Sequence, residues 1–355
     1  MSKGHILSSA EAAAHGARLS FADIVCSDPA PFAADIAKNL RHMPFINADS
    51  FSSALNAAMG AELGGKRAFV VASSPVDESM YTASYMRLPV VFTNVSRPPG
   101  TFSAKHDHND VFTMRDSGWL MFMPESNQEL VDTIIQAYKV CEDPKVLLPA
   151  VVNIDISHYH EFVQLPSEKF TKRYVSRFSL PFQLDGKKPQ YIGVPDQDYA
   201  GLKKQQHRAV KNAAEVIEKT SAMWKKKIGR SLGLVESYKL EDADYAIVIS
   251  GFHSTTAKAA VSRMRNEGKK VGLLRIRVVR PWPHDAIKNA MKNVKKAAIF
   301  DQSISLGRQG ILYSEITKYV SASDFISLGR YPSEKDFIGV FNRLIATEKE
   351  EIVWL

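Results

Sequence analysis

Short apolar runs alternate along the chain with Ala-rich segments of helical spacing. In the first part of the sequence, helical segments at 5–22 and 50–65 lead into short apolar runs at 22–27 and 67–74. Runs that are apolar on both faces are typical of parallel strands, because helices cover both sides of a parallel sheet. The order helix, strand, helix, strand therefore predicts an α/β fold built on a parallel sheet.

The same alternation continues with a strand at 87–96, a helix at 127–143 and a strand at 146–157. Residues 158–200 then break the pattern, since they carry scattered polar, aromatic and Pro residues without any period. Segments of this kind are typical of irregular connections. We expect 158–200 to be an extended linker that wraps the preceding unit.

A second alternation begins with a basic amphipathic helix near residue 200. The stretch 244–283 contains a strand, a Gly turn, a helix, a Gly and a strand, which is the outline of a βαβ crossover, and a further crossover follows at 297–330. A chain of 355 residues is long enough to bury two cores. We predict two doubly wound parallel-sheet domains at 1–157 and 201–355, joined by the linker.

The cysteine content and the hydropathy exclude several classes of protein. Only Cys26 and Cys141 occur, far apart in the sequence, so a disulfide framework, a Cys-rich zinc site and an iron–sulfur cluster held by this chain alone are excluded. Any redox centre must lie on another chain. The N-terminus lacks a signal-peptide core, and no apolar run approaches the roughly 18 residues of a membrane span. We expect a cytoplasmic protein that does not act at a membrane.

The net charge is +8, and much of the basic excess lies at 202–230. A basic face can bind nucleic acid, but it is more commonly a solvated helix surface or a docking face for an acidic protein. We predict no nucleic-acid partner.

Two glycine-containing segments resemble phosphate-binding loops. In GAELGGKR at 60–67, Gly60, Gly65 and Lys66 have P-loop spacing, but Arg67 replaces the required Ser or Thr, and the segment runs from a helix into a strand. A helix C-cap explains it better. In SGFHSTTAKAA at 250–260, two interpretations stay open: backbone donors that meet an anion, or a tight strand-to-helix turn with an N-cap.

The segment HDHNDVFTMRDSGW at 106–119 is the densest group of ionisable residues in the chain. His106, His108 and Asp110 offer nitrogen and oxygen donors two residues apart, which could converge on a metal ion. Asp, His and Arg side chains packed this closely more often form a hydrogen-bonded cluster that fixes a loop. We therefore predict no metal site here.

Four segments, in order, carry a specific resemblance. They are 8–31 with its Ala-rich helix and SDPAP turn, 87–100 with RLP and a following Arg, 106–119 with DHND and RDSGW, and 257–283 with AKAAV, KKVGLLR and RPWP. Together they resemble the α subunit of the thiamine-diphosphate-dependent 2-oxoacid:ferredoxin oxidoreductases, which include the pyruvate and oxalate enzymes. The resemblance covers most of the chain.

The resemblance implies a fold, cofactors and partners. The first domain would be of the pyrimidine-type thiamine-binding kind, and the second would be similar to the C-terminal domain of transketolase. Thiamine diphosphate would be shared across an interface with a β subunit that carries the Mg²⁺, and iron–sulfur clusters would lie on partner chains only. Further implied partners are γ- and δ-type subunits, a ferredoxin or similar acidic electron carrier, and a small 2-oxo acid that undergoes oxidative decarboxylation.

The resemblance also implies site residues. Arg97 occupies the family's loop position after the RLP strand, where an Arg fork suits the substrate carboxylate. The alternative is that Arg97 pairs with one of the nearby aspartates. A charged network that braces the active-site edge and the subunit contacts, with Trp119 packed beneath it, would comprise Asp107, His108, Asp110, Arg115 and Asp116.

Three departures from the family fall at this same site. The Glu that activates thiamine stands nine residues before the Gly matching Gly60, and here that position is Phe51. Asp49 is the nearby carboxylate that could act instead. The family's Thr that holds the 2-oxo acid is Ala30 in this chain, and the S-S-Q-G segment is replaced by SSPVDE at 73–78.

Two accounts of these departures stay open. In the first, Phe51 and Ala30 remodel the pocket of a catalytic subunit for a larger or aromatic 2-oxo acid. In the second, the chain is a non-catalytic structural or regulatory α-like subunit. We favour an oxidoreductase subunit, because Arg97, the Asp-His cluster and the second domain persist.

Overall fold

A computed structural model describes residues 4–73, 75–100, 103, 105–155, 160–185, 187–188 and 198–355. Within these ranges the chain forms fifteen strands and twelve α-helices. The elements up to residue 175 are β1 (Gly4–Ser8), α1 (Ser9–Leu19), β2 (Ile24–Ser27), α2 (Pro31–Leu40), β3 (Phe45–Asn47), α3 (Phe51–Leu63), β4 (Ala68–Ala72), α4 (Ser79–Tyr85), β5 (Val91–Ser96), α5 (Asn109–Phe112), a 3₁₀ turn (Thr113–Asp116), β6 (Leu120–Phe122), α6 (Asn127–Cys141), β7 (Ala150–Asp155), β8 (His160–Gln164) and α7 (Glu168–Val175).

The remaining elements contain the predicted crossovers and add a helix and a strand at the end. They are α8 (Tyr199–Ile228), β9 (Val235–Tyr238), β10 (Tyr245–Ile249), α9 (Ser254–Asn266), β11 (Val271–Ile276), β12 (Val278–Arg280), α10 (His284–Met291), β13 (Lys296–Asp301), α11 (Ile311–Ile316), β14 (Ala322–Ile326), α12 (Glu334–Ala346) and β15 (Ile352–Trp354).

Two large sheets dominate the fold. The first has the strand order β12-β6-β7-β5-β4-β2-β3, in which only β12 is antiparallel to its neighbour. The second has the order β15-β14-β13-β10-β11-β9, in which only β9 is antiparallel. The predicted α/β class with parallel sheets is confirmed. β1 and β8 form a separate antiparallel pair.

Local sequence signals set several helix ends. The side chains of Ser8 and Glu11 form a capping box at the start of α1. Helix α3 begins after Ser50, whose hydroxyl accepts a hydrogen bond from the Ser53 N–H. Its C-cap is Gly64, followed by Gly65 at φ +79°, a conformation that favours glycine. The segment predicted to be a helix C-cap is therefore a C-cap.

Buried apolar residues form three clusters. One lies between one face of the first sheet and helices α1, α6, α7 and α8. A second joins the opposite face of the first sheet, represented by Val70 and Phe92, to Val248 and Ile299 of the second sheet. The third covers the other face of the second sheet with α9 and α12. The two sheets thus share a core, which fixes one relative to the other.

Two segments differ from the irregular linker and separate second domain expected from the sequence. Parts of 158–200 form β8, which pairs with β1, and α7, whereas 158–159, 186 and 189–197 lie outside the described residues. Helix α8 buries Ala213, Ile217 and Trp224 in the cluster of the first sheet, and β12 extends that sheet. The boundaries 1–157 and 201–355 stay predictions.

No helix in the described part of the chain is long and apolar enough to cross a bilayer.

A buried ion pair ties α6 to the second sheet. Glu129 accepts hydrogen bonds from Arg275 Nη1 at 2.8 Å and from Arg277 Nε at 2.6 Å, and all three side chains are almost fully buried. Burial alone would raise the pKa of Glu129, but the two guanidinium groups hold it below its ordinary value. Removal of one partner from such a group leaves uncompensated buried charge.

We expect Glu129→Ala to lower the free energy of unfolding by about 3–5 kcal/mol, since two buried guanidinium groups lose their carboxylate. Glu267→Ala is the control, because Glu267 forms an exposed pair with Arg263 at 3.9 Å and such pairs contribute about 0–1 kcal/mol. Urea denaturation followed by circular dichroism measures both. Equal losses in the two variants would contradict the assignment of Glu129 as a buried tie.

Candidate functional site

The carboxyl ends of the first sheet's central strands gather polar residues at one edge. Asp28, Ser73, Arg97 and Asp155 stand at or directly after the ends of β2, β4, β5 and β7. Parallel strands whose carboxyl ends meet form the usual ligand-binding edge of an α/β sheet. This edge contains Arg97, the substrate anchor that the resemblance implied.

Asp28 is a carboxyl group that the sequence reasoning did not select. Its two oxygens accept hydrogen bonds from the backbone N–H groups of Ala30 at 3.1 Å and Ser73 at 3.2 Å. Burial raises the pKa of Asp28, and these hydrogen bonds and the nearby charge of Arg97 only partly offset that rise. The edge therefore holds a buried carboxyl beside a cation.

Asp110 fixes the backbone from which Arg97 projects. One carboxylate oxygen accepts from the Arg97 N–H at 3.0 Å and from Asn94 Nδ2 at 2.9 Å, and the other accepts from Ser96 Oγ at 2.7 Å and the Val111 N–H at 2.6 Å. Burial raises the pKa of Asp110 to about 6, against the effect of these four donors. Asp110 is a positioning residue for the β5 end.

His108 belongs to a second group at the junction of the two sheets. Its Nε2 donates to Asp155 Oδ1 at 2.7 Å, and its backbone N–H donates to the carbonyl of Gln302 at 2.8 Å. His106 and His253 stack edge-to-face beside it, with the His106 ring centroid 4.7 Å from that of His108 and 5.2 Å from that of His253. All of these side chains are buried.

The turn between β10 and α9 contacts a carboxylate group of the same chain. The Phe252 N–H donates to Asp155 Oδ2 at 2.8 Å, and the His253 N-cap makes no side-chain capping bond. A Cβ added at Gly251 would lie 2.8 Å from that same oxygen. Both open interpretations thus hold in part: the segment is a tight turn, and its backbone donor binds the Asp155 carboxylate.

Arg115 and Asp116 lie apart from the other members of the predicted charged network. Arg115 is half-buried and pairs with the exposed Asp116 at 3.5 Å, and Asp116 also lies 3.9 Å from Arg280. Asp107 makes a local turn, because its carboxylate accepts from the Asn109 N–H at 2.6 Å. Of the five residues, His108 lies at the junction of the two sheets and Asp110 holds the end of β5. Asp107 forms a local turn, and Arg115 and Asp116 form a surface pair.

Phe51 lies at the first position of α3 and packs into the core. Its ring centroid is 5.1 Å from that of Phe92, which in turn meets Trp119 edge-to-face at 6.2 Å. The Trp119 indole donates to the carbonyl of Met80 at 2.8 Å, so Trp119 is buried and satisfied. These rings form an apolar wall on the α3 side of the first sheet.

Ala30 and Asp49 lie at the N-terminal ends of helices α2 and α3. Ala30 is half-buried at the N-cap of α2, where it provides no side-chain capping bond. Asp49 is exposed and accepts from Ser50 Oγ at 3.1 Å, and hydrogen bonds from Ser53 and Ser50 lower its pKa. An exposed carboxylate with a lowered pKa stays ionised at neutral pH, so it is a poor proton donor.

The residues at this edge fit part of what thiamine diphosphate requires. Activation of the cofactor needs a carboxyl group that can hold a proton, and the substrate carboxylate needs a cation. Asp28 and Arg97 offer both groups, and Phe51 and Phe92 offer an apolar wall. Phe51, which stands where the resemblance places the activating Glu, cannot hold a proton.

Most of the chain is similar in sequence to proteins of one known family. Residues 27–228 match the family described as "Pyruvate flavodoxin/ferredoxin oxidoreductase, thiamine diP-bdg", and 243–331 match "Pyruvate:ferredoxin oxidoreductase core domain II". The chain is 34% identical to pyruvate synthase subunit PorA of Methanothermobacter thermautotrophicus, over 77% of this chain and 74% of that protein. It is 31% identical to the NADH-dependent phenylglyoxylate dehydrogenase subunit alpha of Aromatoleum evansii, over 93% and 84% of the two chains.

Solved structures show the same fold. A 2-oxoglutarate:ferredoxin oxidoreductase from Magnetococcus marinus, solved with 2-oxoglutarate, coenzyme A and succinyl-CoA bound, superposes with a TM-score of 0.76 at 16% identity, over 97% of this chain and 66% of that chain. A split-gene transketolase in an inactive β4 tetramer superposes with a TM-score of 0.54 at 13% identity, over 97% and 99%. The resemblance seen in the sequence is confirmed.

The hydrogen bonds of Asp110 lead to a prediction about stability. Asp110→Asn replaces one acceptor oxygen with a donor that faces backbone and side-chain donors, so we expect unfolding to cost about 2–4 kcal/mol less. Asp116→Asn is the matched control, because Asp116 is exposed, and its effect is expected within about 0.5 kcal/mol. The urea concentrations at which the two variants are half unfolded measure both effects. An Asp110→Asn protein as stable as wild type would show that these hydrogen bonds do not hold the β5 end.

Proposed function

The chain belongs to the pyruvate flavodoxin/ferredoxin oxidoreductase family, and from this we propose that it is a catalytic α subunit that decarboxylates a 2-oxo acid oxidatively. The main support for the proposal is that Arg97 lies beside the buried carboxyl group of Asp28, where the strands of the first sheet end. Thiamine diphosphate, when bound, supplies the nucleophilic carbon and the electron sink of the reaction.

Arg97 binds the carboxylate of the 2-oxo acid in this proposal. A planar guanidinium can engage both oxygens of a carboxylate and keeps its charge at every relevant pH. Asp110 holds the Arg97 backbone through the 3.0 Å hydrogen bond to its N–H, and this orients the side chain at the edge. The bound carboxylate is thereby fixed before it leaves as CO₂.

A carboxyl group of this chain holds the proton that the aminopyrimidine exchanges. Asp49 is the candidate that the sequence predicted, and Asp28 is the one that burial favours, because burial raises the pKa of Asp28 whereas hydrogen bonds lower that of Asp49. Phe51, Phe92 and Trp119 exclude water from the α3 side of the sheet.

The substrate proposed is a larger or aromatic 2-oxo acid. Ala30 has no side chain beyond Cβ where the family has Thr, and this smaller side chain leaves more space for the substrate at the N-cap of α2. The similarity to a phenylglyoxylate dehydrogenase α subunit supports the same class. The pyruvate synthase subunit of Methanothermobacter thermautotrophicus is 34% identical to this chain, against 31% for the phenylglyoxylate dehydrogenase subunit, so a panel of 2-oxo acids is part of each assay.

The rest of the machinery is proposed to lie on partner chains. A β subunit would carry Mg²⁺ and the diphosphate site, and γ- and δ-type subunits would carry iron–sulfur clusters, because this chain has only two cysteines, Cys26 and Cys141, both buried. A ferredoxin or similar acidic carrier would approach the basic surface of α8. There Lys203, His207 and Lys211 line a groove of about 480 Å³ together with Arg115 and Arg280.

Arg97→Ala is expected to lower kcat/KM for the best 2-oxo acid by about 100-fold or more, since the substrate carboxylate loses its cation. The assay follows reduction of a viologen dye by the purified complex with thiamine diphosphate. Arg41→Ala, at an exposed position after α2, is the matched control and should keep wild-type activity. Unchanged turnover in Arg97→Ala, with the complex intact, would remove Arg97 from the site.

The variants Asp28→Asn and Asp49→Asn distinguish which of the two carboxyl groups holds the proton. We expect Asp28→Asn to lower kcat by about 10²–10⁴-fold, as removal of a general acid or base does, and Asp49→Asn to leave kcat nearly unchanged. Circular dichroism and thiamine diphosphate affinity check that each variant is folded and loaded. A large loss only in Asp49→Asn would assign the proton to Asp49, and no loss in either would contradict a carboxyl from this chain.

A further inference from the structure

The junction between the two sheets contains a buried cluster whose chemistry the proposed function does not use. His106, His108 and Asp155 each offer one ligand atom, and these three atoms lie within 4.8 Å of one another. All three side chains are buried, with exposures of 1%, 0% and 6%. Two imidazoles and one carboxylate are a donor set that zinc and related divalent transition ions prefer.

The distances in this cluster are close to those of a coordination shell. His108 Nε2 is 2.7 Å from Asp155 Oδ1, and His106 Nε2 is 3.6 Å from Asp155 Oδ2. Ligand atoms about 2.0–2.1 Å from a tetrahedral zinc ion stand roughly 3.3 Å apart. The two separations involve different oxygens of Asp155 and lie on either side of that value. Binding of an ion would therefore replace the hydrogen bond between His108 and Asp155 and leave a fourth position for water.

Several nitrogen atoms of the cluster lack hydrogen-bond partners within the described ranges. Nδ1 and Nε2 of His106, Nδ1 of His108 and Nε2 of His253 are buried without one. The side-chain amide of Gln302 lies near His106 but makes no hydrogen bond of normal geometry. Buried polar atoms left unpaired are costly and rare, and an absent ion is one of their recognised causes.

The charge balance favours a cation at the same place. Asp155 is a buried carboxylate that lies 2.7 Å from His108 Nε2 and 3.6 Å from His106 Nε2. Its remaining hydrogen bonds come from the neutral donors Phe252 N–H and Asn153 Nδ2, at 2.8 and 3.0 Å. A buried carboxylate requires a compensating positive charge, which a divalent ion would supply.

We propose that His106, His108 and Asp155 bind one divalent transition-metal ion, with zinc as the foremost candidate. The ion would have a structural role, because its ligands join the segment before α5 to the end of β7, directly beside the β10–α9 turn. His253 lies next to the site, and the backbone at 106 and 108 already forms hydrogen bonds with Gly329 and Gln302, which lie in the loops after β14 and β13.

The test measures metal bound by the full chain. Wild-type protein is equilibrated with Zn²⁺ at neutral pH, passed over a chelating resin, and analysed by plasma mass spectrometry. We expect about one zinc per chain, and loss of it in His106→Gln and in His108→Gln. His42→Gln, at an exposed position, is the control that should retain the metal. Retention of zinc by folded His106→Gln and His108→Gln proteins would overturn the assignment.

A second measurement needs no variant. Co²⁺ added to the metal-free wild-type chain should give visible absorption typical of a four- or five-coordinate site, saturating at one ion per chain and disappearing when Zn²⁺ displaces it. A spectrum of only hydrated Co²⁺, or less than about 0.1 zinc per wild-type chain, would overturn the proposal. In that case a protonated His108 paired with Asp155 would compensate the buried charge.

Discussion

The buried carboxylate of Asp155 is the point at which the two halves of the molecule depend on each other. It stands at the end of β7 and accepts from His108 Nε2 in the first half and from the Phe252 N–H in the second. A buried charge must be satisfied on all sides, so the segment before α5 and the β10–α9 turn cannot move apart freely. The buried pair of Glu129 with Arg275 makes a second tie between the halves.

This tie determines the geometry of the proposed active edge. The segment that delivers His108 to Asp155 also delivers Asp110 to the end of β5, where it holds the Arg97 backbone. Catalytic groups need a rigid support within fractions of an ångström, and the support here consists of hydrogen bonds to buried carboxylates. The inter-sheet junction therefore positions Arg97 even though it does not contact the proposed substrate.

The sequence predicted the fold better than the site. The parallel strands were readable because apolar runs such as 67–74 are short and bounded, and the C-cap after α3 because two glycines follow it. The grouping of side chains was not readable, because Asp155 is 47 residues from His108 in the chain and nothing local marks it as a partner. Asp28 does carry a signal, because it is a charged residue directly after a buried strand, whereas the resemblance points to Ala30.

We expect this α subunit to activate thiamine although Phe51 stands where the resemblance places the family's Glu. The most direct measurement is the exchange rate of the thiazolium C2 proton of thiamine diphosphate bound to the assembled complex, followed by proton NMR after transfer to D₂O and acid quench. We expect exchange that is faster than that of the free cofactor by several orders of magnitude. Exchange at the rate of the free cofactor, with the cofactor bound, would contradict it and leave a non-catalytic subunit.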